Sequence, residues 1–543
     1  IGFAKSSAGE YTFAIFSVVG ISLIVSWLVA VIFAPLLGKA ILKPPKVAAD
    51  PQPSRIEKAY GSFLKGAIGK PWLTIGVTLG AFVVSLFLLR FVPQQFFPSS
   101  DRPELTMDMT LPQSSSIHAT QARVERMEAL LKDDPDVDHY STYVGRGAIR
   151  FILTLNVQLA NPFFAQFVIV AKDVEARDRL HVKLEKLLAE EFPDVVGYVS
   201  PLELGPPVGW PLQYRVSGPD PDEVRRIAQE LANVVGSEPR TRHVNFDWME
   251  PARQLRVNVN QDQARQLGIS SAALAGTLNA AVTGTTVTQI RDDIYLINVV
   301  ARATDAERAS FESLSSLQVA TPSGRMVPLR QFATFSEEQE LPLIWRRDRV
   351  PTLTVRADVT PGVLADTVVG DLAPRIDEFA AKLPRPYQIV TGGLYEESAV
   401  SRGSVFAVIP LMIGLMLVIM MFQLVSFRRL ALVVGIMPLG LIGVVLTLLL
   451  FNRPLGFVAI LGVLALIGMI AKNAVILIVQ IETDRAQGKG VYDAVIASAS
   501  SRMRPMMLAA MSTILGLLPI APTVFWGPMA FAIMGGLLVA TML

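Results

Sequence analysis

LIGMIAKNAVILIVQIE, Leu466 to Glu482, carries a single lysine, Lys472, inside an otherwise uncharged run from Pro454 to Ile481. Roughly 20 apolar residues suffice for a helix to cross a bilayer, and an ionisable group inside such a helix costs at least about 2.5 kcal/mol. Lysines near helix ends relieve that cost by snorkelling to the interface. At about 1.5 Å per residue, Lys472 lies roughly 15 Å from Glu482 and roughly 25 Å from the other end of the run, too deep for that escape to be easy. The stretch therefore reads as a membrane helix holding a buried cation whose carboxylate partners sit on another helix.

Apolar segments at Tyr11 to Leu37, Pro71 to Phe91, Val405 to Leu424, Leu430 to Phe451, Gly456 to Ile481, Met506 to Phe525 and Trp526 to Leu543 give seven expected spans. Lys39, Lys43 and Lys46 follow the first of these. Arg55 to Lys70 (RIEKAYGSFLKGAIGK) mixes basic and apolar residues at helical spacing, as a helix lying on a membrane surface does. The positive-inside rule places this connection in the cytoplasm, together with the loops carrying Arg428 and Arg429, and Arg485, Lys489, Arg502 and Arg504. The region from Val92 to about Glu397 then falls on the opposite side.

Composition agrees with an integral membrane protein. Of 543 residues 51% are hydrophobic, and the mean hydropathy is positive. A net charge of +2 argues against a nucleic-acid partner, which calls for a clustered basic surface. The absence of cysteine excludes disulfides, thiolate metal sites and a cysteine nucleophile. The chain starts at Ile1 without methionine and stops inside the apolar WGPMAFAIMGGLLVATML, so it reads as part of a longer polypeptide.

Between the second and third spans, periodicity alternates between strand and helix. Glu104 to Leu111 alternates at period two, His118 to Lys132 is amphipathic, Arg150 to Gln158 and Gln166 to Lys172 are strand-like, Asp178 to Phe192 is helical, and Val195 to Val199 is a strand. This order is the ferredoxin-like split βαβ arrangement. A second such unit starts with Leu212 to Ser217 and a helix from Asp222 to Val235. It resumes at Thr352 to Val359, a helix from Leu364 to Leu383 and a strand from Tyr387 to Thr391. Inserted between its halves is a segment with a helix near Gln261 to Ala281, a turn at Thr283 to Thr285 and strands around Ile294 to Ala301. The fold class is thus an α-helical membrane bundle plus an α/β region.

GMIAKNAVILI (Gly468 to Ile478), GKG (Gly488 to Gly490) and RMRP (Arg502 to Pro505) resemble the tenth and eleventh membrane helices of resistance-nodulation-division (RND) efflux transporters, hydrophobe/amphiphile branch. AKSSAGEYTFAIF, FVPQQFFPSSDRPEL, QARQLGIS (Gln263 to Ser270) and SGRMVPL (Ser323 to Leu329) extend the resemblance along the chain. It implies the carboxy-terminal half of such a transporter. On that reading residues 1–43 end the first transmembrane half, 44–70 form a cytoplasmic linker, and 71–92 form a span. Residues 93–200 are one periplasmic porter subdomain, 201–250 and 339–397 are the two parts of a second, 251–338 form a docking subdomain, and 398–543 hold five helices, the last truncated.

The resemblance further implies that Lys472 forms a proton relay with two aspartates outside this chain, with Asn473 beside it, as a member of the relay or as a bridge between helices, and Arg502 at the cytoplasmic mouth, as a proton-entry group or as an ordinary positive-inside anchor. A lysine in low dielectric stabilises adjacent carboxylates, and protonating one weakens the pair and lets helices repack. Where the family commonly has threonine, this chain has Ala509, so Ser512 and Thr513, one turn on, are the candidate hydroxyls, with Thr513 taken for the relay; the alternative is that they bond their own backbone.

On the substrate side the resemblance implies a cleft between the two porter subdomains. Its candidates are Tyr143 and Phe151, Phe163 and Phe164, and Tyr198 and Trp210. Aromatic walls bind greasy molecules by area burial, at roughly 25 cal/mol per Å²; Phe163, Phe164 and Phe167 are equally suited to a protein core. His118, His139, His181 and His243 lack metal-ligand spacing. GKG lacks the glycine-rich loop and Lys-Ser/Thr pair of a phosphate site. Met469, Met506, Met507 and Met511 offer soft ligands but are ordinary packing residues in membrane helices. The expectation is a proton-driven drug exporter without cofactor, not an enzyme. The resemblance implies a homotrimer in a bacterial inner membrane that works with a periplasmic adaptor and an outer-membrane channel. The alternatives are a metal or lipid exporter of the same superfamily, or a non-transporting scaffold.

Overall fold

The computed structural model describes residues 5–41, 55–95, 97, 100–205 and 207–542; the Pro-rich loop expected over 44–53 lies outside the described residues. The chain divides into two compact units, Ile1–Trp248 with Ile344–Leu543, and Met249–Leu343.

In the first unit, α1 (Ser7–Ile41), α2 (Arg55–Gly69) and α3 (Pro71–Leu88) come first. Leu23, Trp27 and Ile32 of α1 and Leu79 and Val83 of α3 are more than half exposed, as suits helices whose solvent is lipid. Pro71 opens α3 where its missing N–H has no helical partner to lose.

β1 (Glu104–Thr110), α4 (Ile117–Leu131), β2 (Val137–Val144), β3 (Phe164–Ala171), α5 (Val174–Glu191) and β4 (Val196–Pro201) follow. Their strands form an antiparallel sheet ordered β2-β3-β1-β4. The period-two pattern ELTMDMT sends Leu105, Met107 and Met109 to one face, where they bury against Val124 and Met127 of α4 and Leu180 and Leu184 of α5. Ser116 and Asp173 cap the two helices by accepting the N–H groups of Ala119 and Ala176, worth about 1 kcal/mol each.

The strand expected over Arg150 to Gln158 does not form, and β2 takes its place beside β3. Gly145, at φ +75°, turns the chain off β2. The following residues then fold over as a loop, tied by the Leu155 N–H to the Ile152 carbonyl and by the Thr154 hydroxyl to the Glu203 carbonyl at 2.6 Å. An alternating sequence without a free strand edge to pair with stays irregular.

A second layer begins with β5 (Leu212–Ser217), α6 (Pro221–Gly236) and β6 (Thr241–Phe246), a strand the sequence reading lacks. The second unit then contains β7 (Ala252–Val259), α7 (Gln261–Gln266), α8 (Ser271–Val282), β8 (Thr285–Asp292), β9 (Tyr295–Ala301), α9 (Asp305–Ala309), α10 (Phe311–Ser315), β10 (Gln318–Ala320), β11 (Met326–Pro328) and β12 (Ala333–Glu340). The single helix expected near Gln261 to Ala281 is split by Gly268 at φ +68°. Ile269, Leu274, Leu329 and Phe332 form this unit's core.

Back in the first unit, β13 (Arg346–Arg347), β14 (Val350–Val359), α11 (Ala365–Ala381) and β15 (Gln388–Gly392) complete the second layer. β14 lies between β6 and β5, and β15 pairs with β5. Second, third, first and fourth strands thus stand in the same spatial order as in the first layer.

The bundle ends with α12 (Gly393–Leu424), α13 (Phe427–Ile436), α14 (Leu441–Leu450), α15 (Phe457–Ala486), α16 (Val491–Leu517) and α17 (Gly527–Met542). Among the described residues five segments are long and apolar enough to cross a membrane: 13–41, 71–91, 393–424, 427–450 and 457–486. Of the seven expected segments the sixth departs in its bounds, while the last, expected as truncated, is the short apolar helix α17. α16 starts well before Met506, carries Arg502 and Arg504, and stops at Leu517, so the expected helix to Phe525 gives way to turns; α17 has 16 residues. The segment from Leu430 is also broken, by a 3-10 turn at Met437–Gly440 around Pro438. Val444 and Leu448 of α14, Leu466 and Ile470 of α15 and Ala532 and Leu537 of α17 form the bundle core. At the α14–α17 crossing, a Cβ on Gly443 would collide with the Gly535 backbone, the close approach that small residues permit between membrane helices.

Candidate functional site

α15 carries Lys472 and Asn473, and α16 carries Arg502 and Thr513. Lys472 is exposed on the bundle surface and, among the described residues, makes no ion pair or hydrogen bond; Asn473 is half-buried. Arg502 donates through Nε at 3.2 Å and Nη2 at 2.6 Å to the Gln480 side-chain oxygen. Gln480 is two turns past Lys472, so Arg502 sits about 12 Å further along the helix axis. The Thr513 hydroxyl donates to the Ala509 carbonyl at 3.0 Å. Its proton is spent on its own helix, and a relay through it needs a rotamer change.

Below Arg502 lies a network absent from the sequence reading. Asp484, 6% exposed, accepts from Ser498 at 2.7 Å, Lys489 at 3.2 Å and Gln480 at 3.4 Å. Glu482 pairs with Arg429 at 2.9 Å and Arg485 at 3.1 Å. These bonds fasten α13, α15 and α16 together where the apolar run ends. The signal in the sequence is the acid pair Glu482 and Asp484 just after an uncharged stretch, but their partners are visible only across helices.

In the α/β region, Tyr198 of β4 and Trp210 stack with ring centroids 4.3 Å apart, and the Tyr198 hydroxyl donates to the Gly209 carbonyl at 3.2 Å. Arg356 of β14 lies over the Trp210 ring at 5.5 Å. It also donates to Asn245 Oδ1 at 3.0 Å and the Phe246 carbonyl at 2.7 Å. Gln166 of β3 donates to Asp108 of β1 at 2.7 Å and accepts the Ala148 N–H at 2.8 Å. Burial pushes the Asp108 carboxyl up to about 6, against the opposing pull of Gln166 and Arg356. Burial likewise pushes Glu203 up to about 7, opposed by the Val208 N–H. Asp108, Glu203 and Tyr198 border a space of about 30 Å³, room for one or two waters. A larger hollow of about 280 Å³ opens beside Tyr198, between Phe192, Glu185, His243 and Asp358.

Of the six aromatic candidates, then, Tyr198 and Trp210 are the pair that stacks among the described residues. Tyr143 packs on the small cluster of Ala148, Leu155 and Leu202. Phe163 is half-buried, Phe164 is 6% exposed, and Phe151 is 47% exposed on the loop after β2. Arg356, Asp108 and Glu203, which give the crevice its charge, are not among the sequence candidates. Among the described residues no group of three His, Cys, Asp or Glu is placed to hold a metal ion.

An apolar helical bundle with a lysine on one of its longest helices and two α/β layers between its spans defines a polytopic membrane protein. The chain belongs to the AcrB/AcrD/AcrF family of RND proteins, whose model matches residues 9–543. Two solved structures, described as X-ray crystal structures of a heavy metal efflux pump in two crystal forms, superpose with a TM-score of 0.75. One is 23% identical, over 90% of this chain and 50% of that chain; the other is 24% identical, over 90% and 51%. The chain spans about half the length of these structures, and at such identity the likeness is one of fold.

Proposed function

We propose that the chain is the carboxy-terminal half of a proton-driven RND efflux transporter of a bacterial inner membrane, working as a homotrimer with a periplasmic adaptor and an outer-membrane channel. The two α/β layers are its ferredoxin-like porter subdomains, the Met249–Leu343 unit is its docking subdomain, and the cargo is a hydrophobic or amphiphilic organic molecule. The observation that carries this reading is Lys472: a cation on an apolar helix, exposed on the bundle surface, with no acceptor among the described residues. Such a charge is expensive unless another segment supplies carboxylates. Family membership and the half-length coverage of the matched structures support the existence of that segment.

Proton coupling follows from electrostatics. With the lysine charged, paired carboxylates stay ionised and hold the helices together. Protonating one removes that attraction and frees the helices to repack. In the complete transporter, Lys472→Ala abolishes export while expression and assembly stay normal; export at the normal rate removes Lys472 from the mechanism.

A second reading, metal ions as cargo, is favoured by the two matched structures, whose descriptions name heavy metal efflux. Protection of a hypersensitive strain separates them. Growth on organic toxicants but not on metal salts supports the first reading, and the reverse supports the second.

A further inference from the structure

A cavity of about 260 Å³ stands where α12 emerges from its apolar run, and the chemistry above does not use it. Its walls are Gln94 beyond α3, Asp366 and Thr367 in the first turn of α11, and Tyr395, Ser398 and Arg402 of α12. Ser398 is 2% exposed, and among the described residues its Oγ has no hydrogen-bond partner; neither has the buried Asp366 Oδ1. A buried oxygen left unsatisfied costs about 1–3 kcal/mol, so two in one cavity ask for a donor. Burial holds the Asp366 carboxyl above its usual range while Arg402 pulls it down, so both signs of charge face the same space.

The position of the cavity narrows the occupant. Gln94 lies three residues past the candidate span Pro71–Phe91. Arg402 immediately precedes the uncharged run that starts at Gly403, and Ser398 lies about one turn further back. Two membrane-length helices therefore reach this level together, where lipid head groups lie. Phe91 at 58%, Val400 at 55% and Phe406 at 53% exposure provide apolar surface on the same two helices. A site with a proton-accepting carboxylate, a guanidinium and an adjoining greasy surface matches one molecule carrying an ammonium, a phosphate and acyl chains.

We propose that this cavity binds the head group of a zwitterionic, primary-amine phospholipid of the phosphatidylethanolamine class. Its ammonium donates to Asp366 and Ser398, its phosphate faces Arg402, and its acyl chains lie along α12. The site requires only this chain and is independent of the cargo and of proton coupling.

The test is lipid binding to the purified, delipidated full chain, followed by native mass spectrometry. Phosphatidylethanolamine, phosphatidylglycerol and water-soluble phosphoethanolamine are added separately. The expected result is one phosphatidylethanolamine retained at least tenfold more tightly than phosphatidylglycerol, with soluble phosphoethanolamine weaker than both. Asp366→Asn, which keeps the side-chain shape, lowers phosphatidylethanolamine retention about tenfold and leaves phosphatidylglycerol unchanged. Equal retention of the two lipids overturns the proposal, as does Asp366→Asn without effect. Soluble phosphoethanolamine binding as tightly as the lipid assigns the site to a small solute and overturns it too. The wild-type comparison alone decides if the variant does not fold.

Discussion

Arg356, in the crevice between the two sheet layers, donates to Asn245 and Phe246 and lies against the Trp210 ring, with the carboxylates of Asp247 and Asp108 near enough to favour its charge. Lys472, on an apolar helix of the bundle, touches no acceptor among the described residues. Both cations are kept from bulk water in the functional protein proposed above. The crevice supplies hydrogen-bond acceptors and two nearby carboxylates that offset part of the desolvation, although burial still holds the guanidinium below its ordinary range. The bundle leaves its charge to be compensated from elsewhere, which suits a charge that serves a process. Burial alone does not mark function; burial without local partners does.

That contrast can be broken from either side. The largest effect expected is on Lys472: Lys472→Ala in the complete transporter removes all measurable export, yet changes the unfolding free energy of this chain by less than about 0.5 kcal/mol, since no hydrogen bond or ion pair among the described residues is lost. A large loss of stability would make Lys472 another Arg356. Conversely, Arg356→Ala strands two carboxylates beside a buried ring and costs about 3–5 kcal/mol, read by chemical denaturation. A change below about 1 kcal/mol would show that the crevice is wetter than its hydrogen bonds imply.

Glu203 gives a finer probe through pH. Its carboxyl is raised to about 7 in the fold, so the folded state holds a proton that the unfolded chain has released. That stabilisation is present below the ordinary carboxylate range and is lost as pH rises from about 4.5 to about 7. The unfolding temperature should fall over that interval. Glu203→Gln should flatten the fall and melt a few degrees higher than the parent at pH 8. A midpoint with an unchanged pH dependence would leave Glu203 in water. The smallest effect is expected at Thr513: Thr513→Val loses only a hydroxyl bonded to the Ala509 carbonyl and leaves export within about twofold. A large loss would show that this hydroxyl turns outward during the cycle.

What could be read in the sequence, and what could not, follows the range of the forces involved. Lys472 stood out because one charge in an uncharged run is a local anomaly, and β1 stood out because ELTMDMT alternates within seven residues. β2 and the irregular 150–158 segment were exchanged because both alternate weakly, and only the edge of β3 decides which one pairs. The end of α16 at Leu517 was invisible, since the apolar residues continue while the helix does not. In the candidate site, the Asp484–Ser498 bond and the Arg356–Trp210 contact join residues distant in the chain, and no spacing rule reaches them.

The two sheet layers share one strand order, and in both the long connection falls in the same slot, between the second and third strands. The first layer fills it with residues 145–163; the second fills it with residues 247–349, which include a compact unit of their own. That hairpin is therefore the place where the architecture tolerates length. Evolution has used it once for a loop and once for a whole appendage, and an engineer seeking a position for a foreign domain in the first layer would begin at Arg150.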